Sequence, residues 1–338
     1  MKVATIFEDG SAGTSDVPAP KAVDNIAVVK VHVAPMCTEY KALVGNRTGN
    51  GFGHEAVGEV VEIARPGRVQ VGDRVVVQPG APCGSCYICL GGDYIHCEYG
   101  LQGLPSDFKP NTSTMAQFLN KVDWLLTPIP DDMSFEHASM ACCGLGPTYG
   151  AVRKMNVNAY DSVLITGLGA VGLGGVINAT HLGAKVIGVD PNPYRSKLAL
   201  DLGASVVFDP GDEDILDKIR QETDGHRGVD KAMDCSGSSD AHRLMIDAVQ
   251  RRGEVSFIGE GKDFPLFASS DMLRKGISLH GIWHYNLSDS LNIIKVIEQN
   301  SDKLDKFITH KFPMSEVQKA WELQAKMKCG KVLLNPWS

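Results

Sequence analysis

Nine cysteines are spread through this chain of 338 residues, and four of them fall within one short stretch, Cys83-x2-Cys86-x2-Cys89-x7-Cys97. Four thiolates so close together suit one tetrahedral zinc ion and leave no coordination position open, so a metal held there is structural rather than catalytic. Gly84, Gly91 and Gly92 lie between the cysteines and let the loop wrap the ion. Buried, unrelated thiols are the plainer alternative, and the clustering argues against it. A second set is dispersed: Cys37, His54 and Cys143, each in a glycine- or turn-rich context near the end of a regular element. Two thiolates and one imidazole on a zinc ion leave a fourth position open, which is the catalytic pattern. Glu55, beside His54, is a candidate supporting group or alternative ligand. Taken singly, His54 is more often a hydrogen-bonded turn histidine and Cys37 more often a small core residue.

A third chemistry is written between Asp161 and Asp190. Val163, Leu164 and Ile165 read as a strand buried on both faces. Gly167-x-Gly169-Ala170-Val171-Gly172 follows and opens an Ala/Leu/Gly-rich helical segment, and a second apolar run, Val186 to Val189, ends in Asp190. In such a βαβ unit the first glycine allows the tight turn, the second lets a pyrophosphate approach the backbone, and the third lets helix and strand pack closely. The pyrophosphate would rest on free N–H groups of the helix N-terminus. Asp190 stands where a carboxylate accepts hydrogen bonds from an adenosine ribose and repels a 2′-phosphate, which favours NAD over NADP. Arg195 could pair with that phosphate and soften the preference, or be a solvated helix charge.

The elements that must position these groups fall into two patterns. Residues 1 to about 80 read as short alternating strands such as Ile26 to Val33, and 99 to 130 as loop and strand. Within the early region, Cys37-Thr38-Glu39-Tyr40 and Gly53-His54-Glu55 interrupt the pattern. Beyond the glycine turn, helices alternate with strands: helix Tyr194–Leu202, strand Ser205–Phe208, helix Glu213–Thr223, strand Val229–Asp234, helix Ala241–Gln250, strands Glu254–Ile258 and Ile277–Trp283. That alternation is a doubly wound parallel sheet. Helix Ser288–Gln299, strand Phe307–Phe312, helix Ser315–Met327 and strand Lys331–Leu334 then return to the first region. The length suits about two domains. The composition, 43% hydrophobic and 22% charged, suits a globular protein with a sizeable core. A net charge of −7 argues against nucleic-acid binding. No run approaches the ~18 apolar residues of a membrane span. The acidic N-terminal stretch lacks a signal-peptide core, so a cytoplasmic location is expected.

These motifs, in this order, resemble the zinc-dependent medium-chain dehydrogenase/reductase family, the alcohol and polyol dehydrogenases. The features that carry the resemblance are Cys37 after an early strand, Gly53-His54-Glu55-x-x-Gly58, Gly72-Asp73, the four-cysteine lobe, Cys143-Gly144, the glycine turn and Gly330-Lys331-Val332. The resemblance implies an α/β protein. A GroES-like β-rich catalytic domain (1–150 and 285–338, with the zinc lobe at 83–97) would be interrupted by a Rossmann domain (151–284). It implies two zinc ions per chain, one catalytic on Cys37, His54 and Cys143 and one structural, together with NAD. Cys143 is preferred to Cys142 because its spacing to Tyr149 and the glycine after it fit alcohol dehydrogenases; polyol dehydrogenases often have a carboxylate near this position. The family usually places a hydroxyl two residues after the first cysteine. Here Thr38 comes one residue early and Glu39 stands at the usual spacing.

The expected activity is hydride transfer between a secondary alcohol and NAD, with a sugar, polyol or cyclitol favoured over a long apolar alcohol. The polyol-dehydrogenase-like length and the polar residues near Cys37 carry that preference. Tyr40, Trp283 and His284 are candidate pocket residues. Glu39 is expected to relay the released proton or to support the zinc site; in an extended segment Glu39 and Thr38 would point to opposite sides. Rival readings are a zinc-free enone or quinone reductase of the same superfamily and a non-catalytic, zinc-stabilised NAD sensor. Partners are a small alcohol or ketone, with neither nucleic acid nor membrane; family analogy suggests a homodimer or homotetramer.

Overall fold

The computed structural model describes residues 1–102 and 113–338; part of the loop expected between 99 and 130 lies outside the described residues. The chain forms two compact units, Met1–Gly144 with Asn286–Ser301 and Ile308–Ser338, and Leu145–Tyr285 with Asp302–Phe307.

The first unit is β-rich. Strands β1 (Lys2–Ile6), β2 (Ala12–Asp16), β3 (Ile26–Met36), β4 (Gly49–Asn50), β5 (Ala56–Glu62), β6 (Arg74–Val77), β7 (Phe118–Val122) and β8 (Leu126–Pro128) come first in the chain. The long β3 is its spine. It pairs antiparallel with β5 and β7, and on its C-terminal half with a strand from the far end of the chain. Valine dominates β3, β5 and β6 because β-branched side chains pack well on a pleated surface. Val29, Val31, Ala34, Met36, Val60, Val75 and Val77 are all buried, and Trp321 joins them in one core. Full burial contributes roughly 1.5–3 kcal/mol for each large apolar side chain.

The second unit is a six-stranded parallel sheet. Its strands are β9 (Ser162–Thr166), β10 (Lys185–Val189), β11 (Val206–Phe208), β12 (Val229–Asp234), β13 (Val249–Phe257) and β14 (Ser278–Gly281). They lie in the order β11-β10-β9-β12-β13-β14, so the direction of winding reverses between β9 and β12. All five residues of β9 are buried, as its central place requires. The chain then returns to the first unit with β15 (Ile308–Pro313) and β16 (Lys331–Asn335), and β16 lies antiparallel to β3 with Val332 opposite Met36.

Several boundaries differ from the sequence expectation. The segment after Cys37 is not extended: Glu39 has helical dihedrals (φ −60, ψ −25) and caps the short helix Tyr40–Val44. β13 begins at Val249, inside the stretch expected as helix, because Gln250, Arg251 and Arg252 are polar strand residues without an apolar alternation to announce them. The short helix Ser301–Phe307 has no counterpart in the expectation; only Leu304 and Phe307 of its seven residues are buried. Among the described residues no helix is long and apolar enough to cross a membrane.

Candidate active site

In the first unit, three separate elements deliver Cys37, His54 and Cys143 to one place. Cys37 follows the end of β3, His54 sits in the turn before β5, and Cys143 follows the helical turn Ser139–Ala141. Ligand atoms of Cys37, His54, Glu55 and Cys143 all lie within 4.8 Å of one another. His54 Nε2 is 3.2 Å from Cys143 Sγ. Gly53 shapes the approach: its φ is +87, and a side chain there would press on Met115 N at 2.8 Å. Only glycine meets both demands cheaply. Cys142 is turned away; its thiol points at the carbonyl oxygens of Val77 and Ala56, and burial pushes it up to about 12.

The groups behind the cluster are polar and buried. Glu39 Oε2 accepts the Cys37 N–H at 2.8 Å, and its other oxygen lies 2.8 Å from His54 Nδ1. That second contact is at ion-pair distance but misses hydrogen-bond alignment. Glu39 therefore faces the far side of the imidazole, the arrangement by which a carboxylate orients a metal-binding histidine. Both its oxygens are engaged, which leaves the exposed Thr38 as the hydroxyl beside Cys37 with access to water. Glu55 and Lys331 are both fully buried. Lys331 Nζ donates to Oε1 at 2.7 Å and Oε2 at 3.0 Å, and the Cys143 N–H donates to Oε2 at 3.0 Å. On the other side of Cys37, Gln324 Nε2 donates to its carbonyl at 3.0 Å. The sequence alone does not assign Lys331 and Gln324 to the site. A lysine opening an apolar strand was the available signal for the first; nothing in the sequence marks the second.

The electrostatics fit a cation. Burial opposes a charged imidazole, yet contacts with Cys37 and Glu39 lift His54 to about 11. The Cys143 thiol, the His54 ring and Lys331 hold Cys37 well below the usual thiol range against the cost of burial, while Cys143, beside Cys37 and buried, is held well above it. These donors share protons among themselves, and a divalent cation displaces such protons when it binds. The four-cysteine lobe passes a geometric test as well. A tetrahedron with Zn–S bonds of ~2.3 Å has edges of ~3.8 Å, and Cys83 Sγ lies 3.9 Å from Cys89 Sγ. The ligand atoms of Cys83, Cys86, Cys89 and Cys97 lie within 4.8 Å of one another. N–H groups of Cys83 and Cys86 donate to sulfur, and backbone donors lower Cys83 to about 6. Gly84 (φ +76) turns the loop over the Trp124 ring.

In the second unit, Gly167 has φ +81, and a side chain on Gly172 would strike the Gly167 carbonyl. Both observations account for glycine at these positions. Ala170 opens the helix Ala170–His181, whose first turn includes Val171 and has no side-chain cap. Asp190 is buried at the end of β10, with Oδ2 accepting Leu168 N–H at 2.6 Å and Oδ1 accepting Asn192 N–H at 2.8 Å. Each oxygen keeps a further lone pair. The Arg195 guanidinium lies beside the turn, 3.9 Å from where a Gly169 Cβ would be. Trp283 is exposed and His284 buried against Tyr285; Tyr40 packs at the edge of the core of the first unit.

Comparison with known proteins accords with this geometry. Residues 24–131 match the alcohol dehydrogenase GroES-like domain, and residues 170–299 match the zinc-binding dehydrogenase domain. The chain is 30% identical over 331 residues to an L-threonine 3-dehydrogenase of Caldanaerobacter subterraneus subsp. tengcongensis, covering 94% of this chain and 93% of the relative. It is 28% identical over 330 residues to a D-arabitol-phosphate dehydrogenase of Enterococcus avium, covering 91% and 89%. The solved structure of the alcohol dehydrogenase TADH from Thermus sp. ATN1 superposes with a TM-score of 0.88 at 26% identity, covering 99% of each chain. With a GroES-like unit, a Rossmann unit and both cysteine-containing clusters in place, the chain belongs to the zinc-dependent medium-chain dehydrogenase/reductase family of oxidoreductases.

Proposed function

We propose that the protein oxidises a secondary alcohol carrying further polar groups, of the polyol or sugar class, with NAD as hydride acceptor, and that it holds two zinc ions. The convergence of Cys37, His54 and Cys143 carries this reading. Three donors of this kind leave one position open, and Glu55 is committed to Lys331 and the Cys143 amide. Cys83, Cys86, Cys89 and Cys97 would hold the structural ion. The names of the relatives, a threonine dehydrogenase and an arabitol-phosphate dehydrogenase, support a polar hydroxyl compound as substrate.

A zinc ion on Cys37, His54 and Cys143 supplies Lewis acidity, which lowers the pKa of an alcohol hydroxyl. A dinucleotide bound at the glycine turn would supply the hydride acceptor. The chain's own residues do the rest. Glu39 takes the Nδ1 side of His54 and so turns Nε2 toward the two thiolates. Glu55, held by Lys331, anchors the amide of Cys143. Thr38 Oγ1 passes the released proton to water, since a hydroxyl both donates and accepts. Gly167, Gly169 and the N-terminus at Ala170–Gly172 receive the pyrophosphate. Asp190 takes the adenosine ribose and excludes a 2′-phosphate, with Arg195 at the rim.

The test is a panel of polyols, sugars and amino alcohols assayed for NADH formation alongside metal analysis. Alcohol-dependent NADH formation, with a kcat/KM for NAD well above that for NADP, is the expected result. Protein with two bound zinc ions that transfers hydride from none of the panel to either dinucleotide would refute the enzymatic reading and leave the sensor. Turnover that persists after the Cys37 metal is lost would favour the zinc-free reductase.

A further inference from the structure

At the reversal point of the parallel sheet, β9 and β12 run side by side, and dinucleotides bind beyond the carboxyl ends of strands at such a point. Two side chains cross it. Thr166, the last residue of β9, donates its hydroxyl to Asp234 Oδ1 at 2.9 Å, and Asp234 is the last residue of β12. Asp234 is fully buried, yet it accepts from five donors: Thr166 Oγ1, the N–H and hydroxyl of Ser236 (3.0 and 2.6 Å), the Gly237 N–H (2.9 Å) and His242 Nε2 (2.9 Å). A buried carboxylate is costly unless it is this fully satisfied.

Three of the five donors belong to the loop that follows β12. Ser236 is exposed, so a buried anion fixes a solvent-facing loop. That loop lies against the glycine turn: a Cβ on Gly167 would come within 2.7 Å of Ser236 Cβ, and one on Gly172 within 3.5 Å of Cys235 Cβ. The loop after β13 closes in behind it, since a side chain on Gly237 would strike the Glu260 carbonyl and one on Gly259 would meet Gly237 N at 2.6 Å. His242 completes the set from the helix Ser239–Ala248, its ring edge-on to Phe257 and Phe264.

We propose that Asp234 is a positioning residue for dinucleotide binding, holding the Ser236–Gly237 loop as one wall of the crevice beside the glycine turn. The proposal rests on the dinucleotide reading above. Asp234→Asn tests it with little change in shape. An amide has one oxygen for donors on both sides, so its NH2 must face either Gly237 N–H or the Thr166 and Ser236 donors. His242 can adapt by changing tautomer; the backbone N–H cannot. The loop should shift, weakening NADH binding roughly tenfold by fluorescence titration. The KM for NAD should rise with it, while the KM for alcohol at saturating NAD and the zinc content stay at parental values. A residue that served only the fold would lower thermal stability without splitting the two KM values, and that result overturns the proposal. So does a folded Asp234→Asn that binds NADH within twofold of the parent. Should Asp234→Asn fail to fold, His242→Phe keeps the ring packing and removes one donor; about threefold weaker NADH binding is expected, and no change overturns the proposal. A parent protein that binds neither NADH nor NADPH overturns the dinucleotide reading as well, whereas normal parental binding with unchanged variants overturns only the role of Asp234.

Discussion

Replacing Lys331 by methionine tests whether the buried ion pair organises the metal centre. Lys331 makes two charge-assisted hydrogen bonds to Glu55, and neither residue is exposed. Lys331→Met removes both bonds and leaves a carboxylate without its cation. Breaking such a pair costs about 3–5 kcal/mol. Glu55→Gln leaves the ammonium stranded instead and should cost a similar amount. The double variant should lose much less, about 1–2 kcal/mol, because no charge is stranded and the Gln oxygen still accepts the Cys143 N–H. The two positions should therefore be coupled by at least about 3 kcal/mol in a double-mutant cycle. Denaturant unfolding of the zinc-loaded protein provides the assay. Trp124, Trp321 and Trp337 lie in the first unit and Trp283 in the second, so in a Trp283→Phe background tryptophan fluorescence follows the first unit alone. A Lys331→Met loss below about 1 kcal/mol, or single losses that simply add in the double variant, would refute the reasoning.

Other outcomes follow from the same geometry. Cys89→Ser should remove one zinc and lower stability, and Cys37→Ser should remove the other and chiefly abolish turnover; metal analysis that finds one zinc or fewer in the zinc-replete parent contradicts both. Glu39→Gln should weaken retention of the catalytic zinc by roughly 10–100-fold against a chelator, while Thr38→Val should keep the metal and cut kcat by roughly 10²-fold; the reverse pattern would make Glu39 the relay. Lys121 is buried and burial lowers it from 10.5 to about 7. Between those values the unfolded chain holds a proton that the native chain does not, so stability should rise with pH across that window by up to about 1.4 kcal/mol per pH unit. Lys121→Met should flatten that slope, and an unchanged pH profile would show that Lys121 stays charged.

What was legible in the sequence was chemistry with fixed spacing. The four-cysteine lobe and the glycine turn declare themselves because one ion and one pyrophosphate demand particular residue types within a few positions. The parallel sheet was legible because buried strands and crossover helices differ in period. Glu39 was harder. Its spacing from Cys37 was plain, but its role depends on whether the backbone is extended or helical, and a five-residue helix leaves almost no periodic trace. Lys331 and Gln324 reach the Cys37–His54–Cys143 cluster through pairings that span 276 and 287 residues. No local pattern encodes such contacts; they arise only when β16 pairs with β3 and the helix Val317–Ala325 packs beside the helix Tyr40–Val44. Asp234 was visible as an acid ending a strand, but its five donors come from three elements.

The pairing of β16 with β3 has a consequence for how the protein is made. A ribosome releases β3 and the histidine turn early and β16 only after the whole of the parallel-sheet unit. Until then the end of β3 from Ala34 to Met36 lacks its β16 neighbour, and Glu55 waits for its cation. The parallel-sheet strands, by contrast, emerge in one uninterrupted run, and domains tend to fold as units during synthesis. The nascent chain thus carries Glu55 without its lysine through most of translation, and the polar setting behind Cys37, His54 and Cys143 is completed among the last steps of folding.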